Sequence, residues 1–182
     1  MAIRDPAPSP LRYADIIDEG EQWTLVFTRD FPQTPEAMWI ALTDPAQVVQ
    51  WAPYRPERPL GTIGPATLVV VCDSDTGEAT EVDGTVVAAN CPHVLEHRWD
   101  EDWLRWEITP ASGGGCVLTL QHTVTGPNTA AQLAARWHLR LDVAQDMMEH
   151  PPTGPIAGHD APDDGWTDLY EAYSERLGGT ES

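Results

Sequence analysis

The chain has 182 residues, enough for one domain, and a domain of that size buries about 70% of the surface its unfolded form exposes. Its 10 basic residues stand against 29 acidic ones, a net charge of -19 that repels nucleic acid and anionic membrane surfaces. All 10 basic residues are arginine, which excludes Schiff-base, phosphate-loop and kinase-type lysine chemistry.

The opening MAIRDPAPSP lacks the basic start and apolar run of a signal peptide. No later stretch approaches the roughly 20 apolar residues of a membrane span, so a cytoplasmic protein is expected, with no membrane insertion. Cys72, Cys91 and Cys116 are an odd number at wide spacing, which predicts reduced thiols used as small core residues.

Residues 1–20 are rich in proline and charge, without a sustained period, and read as an N-terminal arm preceding a domain over 21–182. Trp23, Leu25 and Phe27 then alternate with Thr24, Val26 and Thr28, the period of a strand with one face in the core. Pro32 ends it. Thr34 followed by Pro35, and Asp44 followed by Pro45, are cap-plus-proline signals. They predict two short helices, the first carrying Met38, Trp39 and Leu42 and the second running over Ala46–Trp51.

From Leu60 to Val124 the text is that of an antiparallel sheet. Strands are predicted near 66–73, 79–89, 94–99, 104–110 and 116–124. Turns fall at Asp73–Gly77, Asn90–Pro92, Asp100–Asp102 and Ser112–Gly115. Over Thr129–Glu149, Leu133, Trp137, Leu141, Ala144 and Met148 recur about every 3.6 residues, the stripe of a long amphipathic helix. Residues 150–165, with four prolines and three glycines, read as a loop. Trp166, Leu169, Tyr170 and Tyr173 outline a short terminal helix.

Alternation places Leu95, His97 and Trp99 on one face of their strand, Leu104, Trp106 and Ile108 on one face of the next, and Leu118, Leu120 and His122 on one face of the last. Apolar walls with a few convergent polar groups describe a small-molecule site, where His97 and His122 can hydrogen-bond a ligand carbonyl or hydroxyl. The plainer reading of each histidine is a core residue satisfied by backbone or water. Trp137, Leu141 and Met148 face the sheet from the long helix, and Trp39 and Trp51 are placed to close one end. The eight tryptophans also serve core packing, since each indole buries about 200 Å².

His93-Val94-Leu95-Glu96-His97 spells H-x-x-E-H, a zinc-peptidase signature. Zinc chemistry there needs a helix, and the alternation of Val94–Trp99 predicts a strand, with Glu96 pointing away from His97. Asp73–Glu78 lacks the later ligands of a calcium loop, and Ser112–Gly115 lacks a phosphate-loop context, so both read as turns. No catalytic nucleophile, metal site or cofactor is predicted.

The order strand, two short helices, antiparallel sheet and long C-terminal helix resembles the START-like (SRPBCC) helix-grip fold. The segment PEAMWIALTDPAQVVQW at 35–51 resembles the opening of the family named for the activator of the ninety-kilodalton heat-shock protein's ATPase. WHLRLD at 137–142 and W-x-x-L-x-x-x-Y at 166–173 are similar to that family's closing pattern. Arg136 stands where the family often has glycine before Trp-His. The resemblance implies an α+β domain, with a curved six-stranded antiparallel sheet wrapped on the long helix around a cavity that relatives use for lipids, sterols, polyketides or hormones.

Binding of an apolar or amphipathic small molecule in that cavity is the leading expectation, with Trp39, Trp51, His97, Trp99, Trp106, His122, Trp137, Leu141 and Met148 lining it. Two alternatives stand beside it. One is a small cyclase, dehydratase or hydrolase using the same pocket, with His97 or His122 as acid or base and Glu96, Glu107 or Asp100 orienting it. The other is a chaperone-associated or regulatory interaction module. Strand edges leave a homodimer open.

Overall fold

The computed structural model describes residues 12–71, 78–124, 130–150 and 166–177. Its elements in chain order are β1 (Tyr13–Asp18), β2 (Trp23–Phe31), α1 (Pro35–Thr43), α2 (Pro45–Trp51), β3 (Arg55–Pro56), β4 (Thr67–Val71), β5 (Ala79–Asp83), β6 (Val86–Asn90), β7 (Val94–Trp99), β8 (Asp102–Pro110), β9 (Cys116–Val124), α3 (Ala130–Glu149) and α4 (Trp166–Leu177).

Both cap-plus-proline signals act as expected. Thr34 accepts the Ala37 N–H at 3.2 Å and Asp44 accepts the Ala46 N–H at 3.1 Å, so each helix starts on a satisfied donor with proline where a free N–H is not needed. The two helices bury Met38, Trp39, Leu42, Val48 and Trp51.

An antiparallel six-stranded sheet runs in the order β1-β2-β9-β8-β7-β6, and β3-β4-β5 form a smaller sheet. The six-stranded expectation therefore holds with a different membership at both edges. Tyr13–Asp18, expected in the arm, pairs along its whole length with β2 as an edge strand. Only Ala14 of that strand is buried, so its apolar alternation was too weak to read. The run expected over 79–89 is divided at Gly84, where an added Cβ would lie 2.5 Å from Leu68 Cγ. Leu68 packs over the bare glycine backbone, and the chain passes there from the small sheet into the large one. The turn at Ser112–Gly115 uses positive φ at Gly113 and Gly114, 91° and 93°. Asp73–Gly77 and most of the loop at 150–165 lie outside the described residues.

Register carries the core. Leu25, His122, Leu104, His97 and Val86 are successive partners across β2, β9, β8, β7 and β6. Phe27, Leu120, Trp106 and Leu95 form the row beside them. Every residue of both rows is buried, and burial of each such apolar side chain contributes about 1.5–3 kcal/mol. Against this face lies α3, which also packs on α2 and α4. Because α4 covers its other side, α3 buries Ala134, Ala135 and His138 in addition to the predicted Leu133, Trp137, Leu141 and Ala144. Arg136 is exposed, so the helix carries this long side chain into solvent.

Cys116 is a buried core residue as expected, but Cys91 is exposed. Cys91 falls in the turn between β6 and β7, where no element covers it; Cys72 is outside the described residues. Among the described residues no helix is long and apolar enough to cross a membrane.

Candidate functional site

Six of the expected lining residues come together. On the inner face, Tyr54–Trp99, Trp99–Trp137, Trp137–Trp106 and Tyr54–His97 have ring centroids 5.5, 6.0, 5.4 and 5.7 Å apart. Trp106 closes the circuit by pointing its indole N–H at His97 Nε2, 3.4 Å away. His122 joins through Trp99 and Trp137 at 5.7 and 5.9 Å, and Trp51 packs edge-on to Trp106 at 5.9 Å. These tilted and edge-to-face geometries suit aromatic quadrupoles and fix the ring orientations.

The remaining expected residues are placed differently. Leu141 is buried on α3, one turn beyond Trp137. Trp39 is buried with its indole beside Gly61. Met148 is partly buried and lines a groove with α1 and α2 residues. Tyr54 was missed, although it follows Trp51 by three residues at the end of α2. Asp102 was missed because it was read as a turn; it is the first residue of β8, pairs with Trp99 and shares the inward parity of Leu104 and Trp106.

The polar tips follow from these positions. His97 Nδ1 lies 2.9 Å from the Arg98 carbonyl, which can only accept, so Nδ1 carries the proton and Nε2 offers one lone pair. Two donors compete for that lone pair: the Trp106 N–H at 3.4 Å and the Tyr54 hydroxyl at 3.5 Å. Both contacts are long. Burial holds the His97 imidazole down to about 4, opposed by the bond to Arg98, so it is neutral at pH 7. Burial pushes the Tyr54 phenol up and keeps it a donor.

His122 is fully engaged. The Trp137 indole donates to Nδ1 at 3.0 Å, and Nε2–H donates to the Asp102 carboxylate at 2.8 Å. Asp102 keeps 24% side-chain exposure, so the pair connects the interior to solvent beside the partly buried Trp99. A histidine oriented by a carboxylate is a general-base arrangement, but here the basic lone pair is held by Trp137.

Glu96, Glu107 and Asp100, named as orienting carboxylates, do not reach these histidines. Glu96 and Glu107 flank Arg105 at 2.8 and 2.9 Å on the outer face. The H-x-x-E-H residues lie along β7 and the turn before it, so Glu96 and His97 face opposite sides of the sheet. Among the described residues no three His, Cys, Asp or Glu side chains are grouped to hold a metal ion.

A second buried polar cluster joins the two closing motifs. His138 Nδ1 meets the Tyr173 hydroxyl at 2.8 Å, and His138 Nε2 stands 3.5 Å from Asp142. Arg29, inward on β2, donates to Asp142 at 2.5 Å and to Gln145 at 2.8 Å.

A curved sheet gripping a long C-terminal helix, with an aromatic seam between them, defines a START-like helix-grip domain. The family model for Activator of Hsp90 ATPase homolog 1-like protein matches residues 32–149, and the chain belongs to that family. Among solved structures, a conserved protein of unknown function from Enterococcus faecalis is similar with a TM-score of 0.69 at 15% identity, over 93% of this chain and 92% of that one. CalU16 from Micromonospora echinospora aligns with a TM-score of 0.64 at 14% identity, over 96% of each chain. The AHSA1-like protein from Aeromonas hydrophila aligns at 0.58 and 18% identity, over 75% of this chain and 99% of its own. No curated protein matches the sequence.

Proposed function

We propose that the domain binds an apolar or amphipathic small molecule bearing a hydrogen-bond acceptor, seated between the sheet and α3 at the Tyr54–His97–Trp106 corner. The observation that carries this reading is the over-subscribed lone pair of His97, with two buried donors at 3.4 and 3.5 Å. A buried donor without a full partner costs about 1–3 kcal/mol. A ligand carbonyl or ether oxygen taking one of the two relieves that cost, while the surrounding rings supply apolar contact. Entry runs past Trp99, the partly buried ring of the set.

Binding is favoured over catalysis because His97 is held neutral and its lone pair is contested, and because Trp137 occupies the basic nitrogen of His122. Acid–base chemistry by the His122–Asp102 pair requires Trp137 to release Nδ1 first.

Native mass spectrometry of freshly purified protein, with extraction of whatever leaves on unfolding, tests the reading. A stoichiometric apolar molecule carrying a carbonyl, ether or hydroxyl oxygen is expected. Protein that stays empty after incubation with a panel of lipids, sterols and aromatic polyketides, with no change in tryptophan fluorescence, overturns it.

A further inference from the structure

Asp102 stands at the outer end of the aromatic seam. It is the partner of Trp99 where β7 turns into β8, and the Trp99 ring lies between Tyr54 and His122, 5.5 and 5.7 Å from theirs. Beyond that ring the His122 Nε2–H donates to Asp102 Oδ2 at 2.8 Å. The aspartate side chain keeps 24% exposure where the histidine keeps 1%, so the carboxylate is the wetted end of the pair and the imidazole the dry one.

Nothing around it cancels the charge of that carboxylate. An indole N–H can only donate, so the bond from Trp137 to His122 Nδ1 at 3.0 Å makes that nitrogen an acceptor and the imidazole a neutral donor to Asp102. A neutral partner orients a carboxylate and leaves its charge in place. The arginines of β7 and β8 are engaged elsewhere: Arg98 bonds the Asp100 carbonyl at 3.1 Å and pairs with Asp83 at 3.4 Å, and Arg105 pairs with Glu96 and Glu107 on the outer face. Among the described residues no arginine reaches Asp102. A half-buried negative charge beside an apolar passage attracts a cation and repels an anion more strongly than it would in bulk water, because the effective dielectric there is lower. An acid entering past Trp99 meets that charge, and an amine is paired by it.

We propose, building on binding at the Tyr54–His97–Trp106 corner, that Asp102 determines specificity at the mouth of the same site. The ligand is an amine, with its oxygen acceptor at the corner, its apolar body along Trp99 and its ammonium on Asp102, and carboxylic acids are turned away.

Three probes sharing one aryl ether body test this: phenoxybutylamine, phenoxybutanol and phenoxybutanoic acid, which end in a cation, a neutral hydroxyl and an anion at neutral pH. Titration by tryptophan fluorescence should show the amine binding at least about tenfold more tightly than the acid, with the alcohol between. Asp102→Asn keeps an oxygen for the His122 N–H and removes the charge, and should bring the three probes within about twofold of one another. Glu101→Gln removes the same charge from the exposed turn residue next door and should leave the order and spacing of the probes unchanged, which separates Asp102 from the overall charge of -19. In the parent protein, high salt should narrow the gap between amine and acid, a measurement that needs no variant should Asp102→Asn misfold. Tyr54→Phe, at the inner end, should weaken all three alike. Equal binding of the three probes, full discrimination retained in Asp102→Asn, or the same loss of discrimination in Glu101→Gln overturns the selectivity and leaves the binding site standing. Binding by none of the probes removes the site and the selectivity with it.

Discussion

The Tyr173 hydroxyl and His138 Nδ1 stand 2.8 Å apart, and that bond ties α4 to α3. His138 turns Nε2 toward Asp142, 3.5 Å away, so Nδ1 accepts and Tyr173 donates. The same hydroxyl oxygen accepts the Arg12 N–H at 3.2 Å, which brings the start of the described chain to the terminal helix. Tyr173→Phe keeps the ring and strands a fully buried imidazole nitrogen. The expected loss is about 1–3 kcal/mol in urea unfolding, with faster amide exchange over residues 166–177. Exchange unchanged in α4 while the global stability falls would separate the bond from helix docking and count against this role.

Arg29 and Asp142 are unequal partners. The arginine side chain keeps 2% exposure and the aspartate 24%. Removing the aspartate leaves a cation that water cannot reach, whereas removing the arginine leaves an anion near the surface. Asp142→Ala should therefore cost about 3–5 kcal/mol and Arg29→Met clearly less. Equal costs by chemical denaturation would refute the asymmetry.

What could be read in the sequence was whatever short-range chemistry decides alone. Thr34-Pro35 and Asp44-Pro45 place both helix starts, and the parity of Leu95–Trp99, Leu104–Ile108 and Leu118–His122 places the inner face. Of the site residues brought together, His97, Trp99, Trp106 and His122 come from that parity, Trp137 from the stripe of the long helix and Trp51 from the second short helix. What escaped depends on distant neighbours. Tyr13–Asp18 is a strand because β2 offers it an edge, and its own side chains bury almost nothing. Gly84 divides a run that local propensity would continue, because Leu68 needs the room. Asp102 turns inward because β8 begins two residues before the expected start at 104, in a stretch of turn-like composition. His138 follows Trp137 on the helix and escapes a single-stripe reading because α4 gives α3 a second buried face.

Acid should weaken the fold through His97. Its folded value of about 4 lies below the ordinary 6.5, mainly from burial. Above pH 6.5 both folded and unfolded forms are neutral and the group has no effect. Between 6.5 and 4 the unfolded chain binds the proton that the folded chain refuses, so stability falls as pH falls, by up to about 3 kcal/mol. Below 4 this contribution levels off. Unfolding measured at intervals between pH 4.5 and 6.5 should show that slope in the parent protein and a slope smaller by close to one proton in His97→Gln. Parallel slopes would show that His97 does not carry the acid response.

Two substitutions on the same aromatic seam should behave in opposite ways, because one donor is in surplus and the other is required. Tyr54→Phe removes one of two hydroxyl or indole donors aimed at a single lone pair on His97, and the Trp106 N–H is then free to close on it. The empty protein should change by no more than about 0.5 kcal/mol, since deleting an unsatisfied buried donor removes its desolvation cost along with its weak bond. Trp137→Phe removes the donor that the His122 Nδ1 receives at 3.0 Å and leaves space among Trp99 and Trp106. That should cost about 2–4 kcal/mol from the lost bond and the void together. Ligand affinity separates the variants again: Tyr54→Phe, harmless to the fold, should weaken binding of an acceptor-bearing apolar molecule about tenfold. Thermal unfolding and fluorescence titration on one pair of proteins read both quantities. A Tyr54→Phe variant as destabilised as Trp137→Phe would mean that the hydroxyl is a structural bond rather than a donor held ready for a ligand.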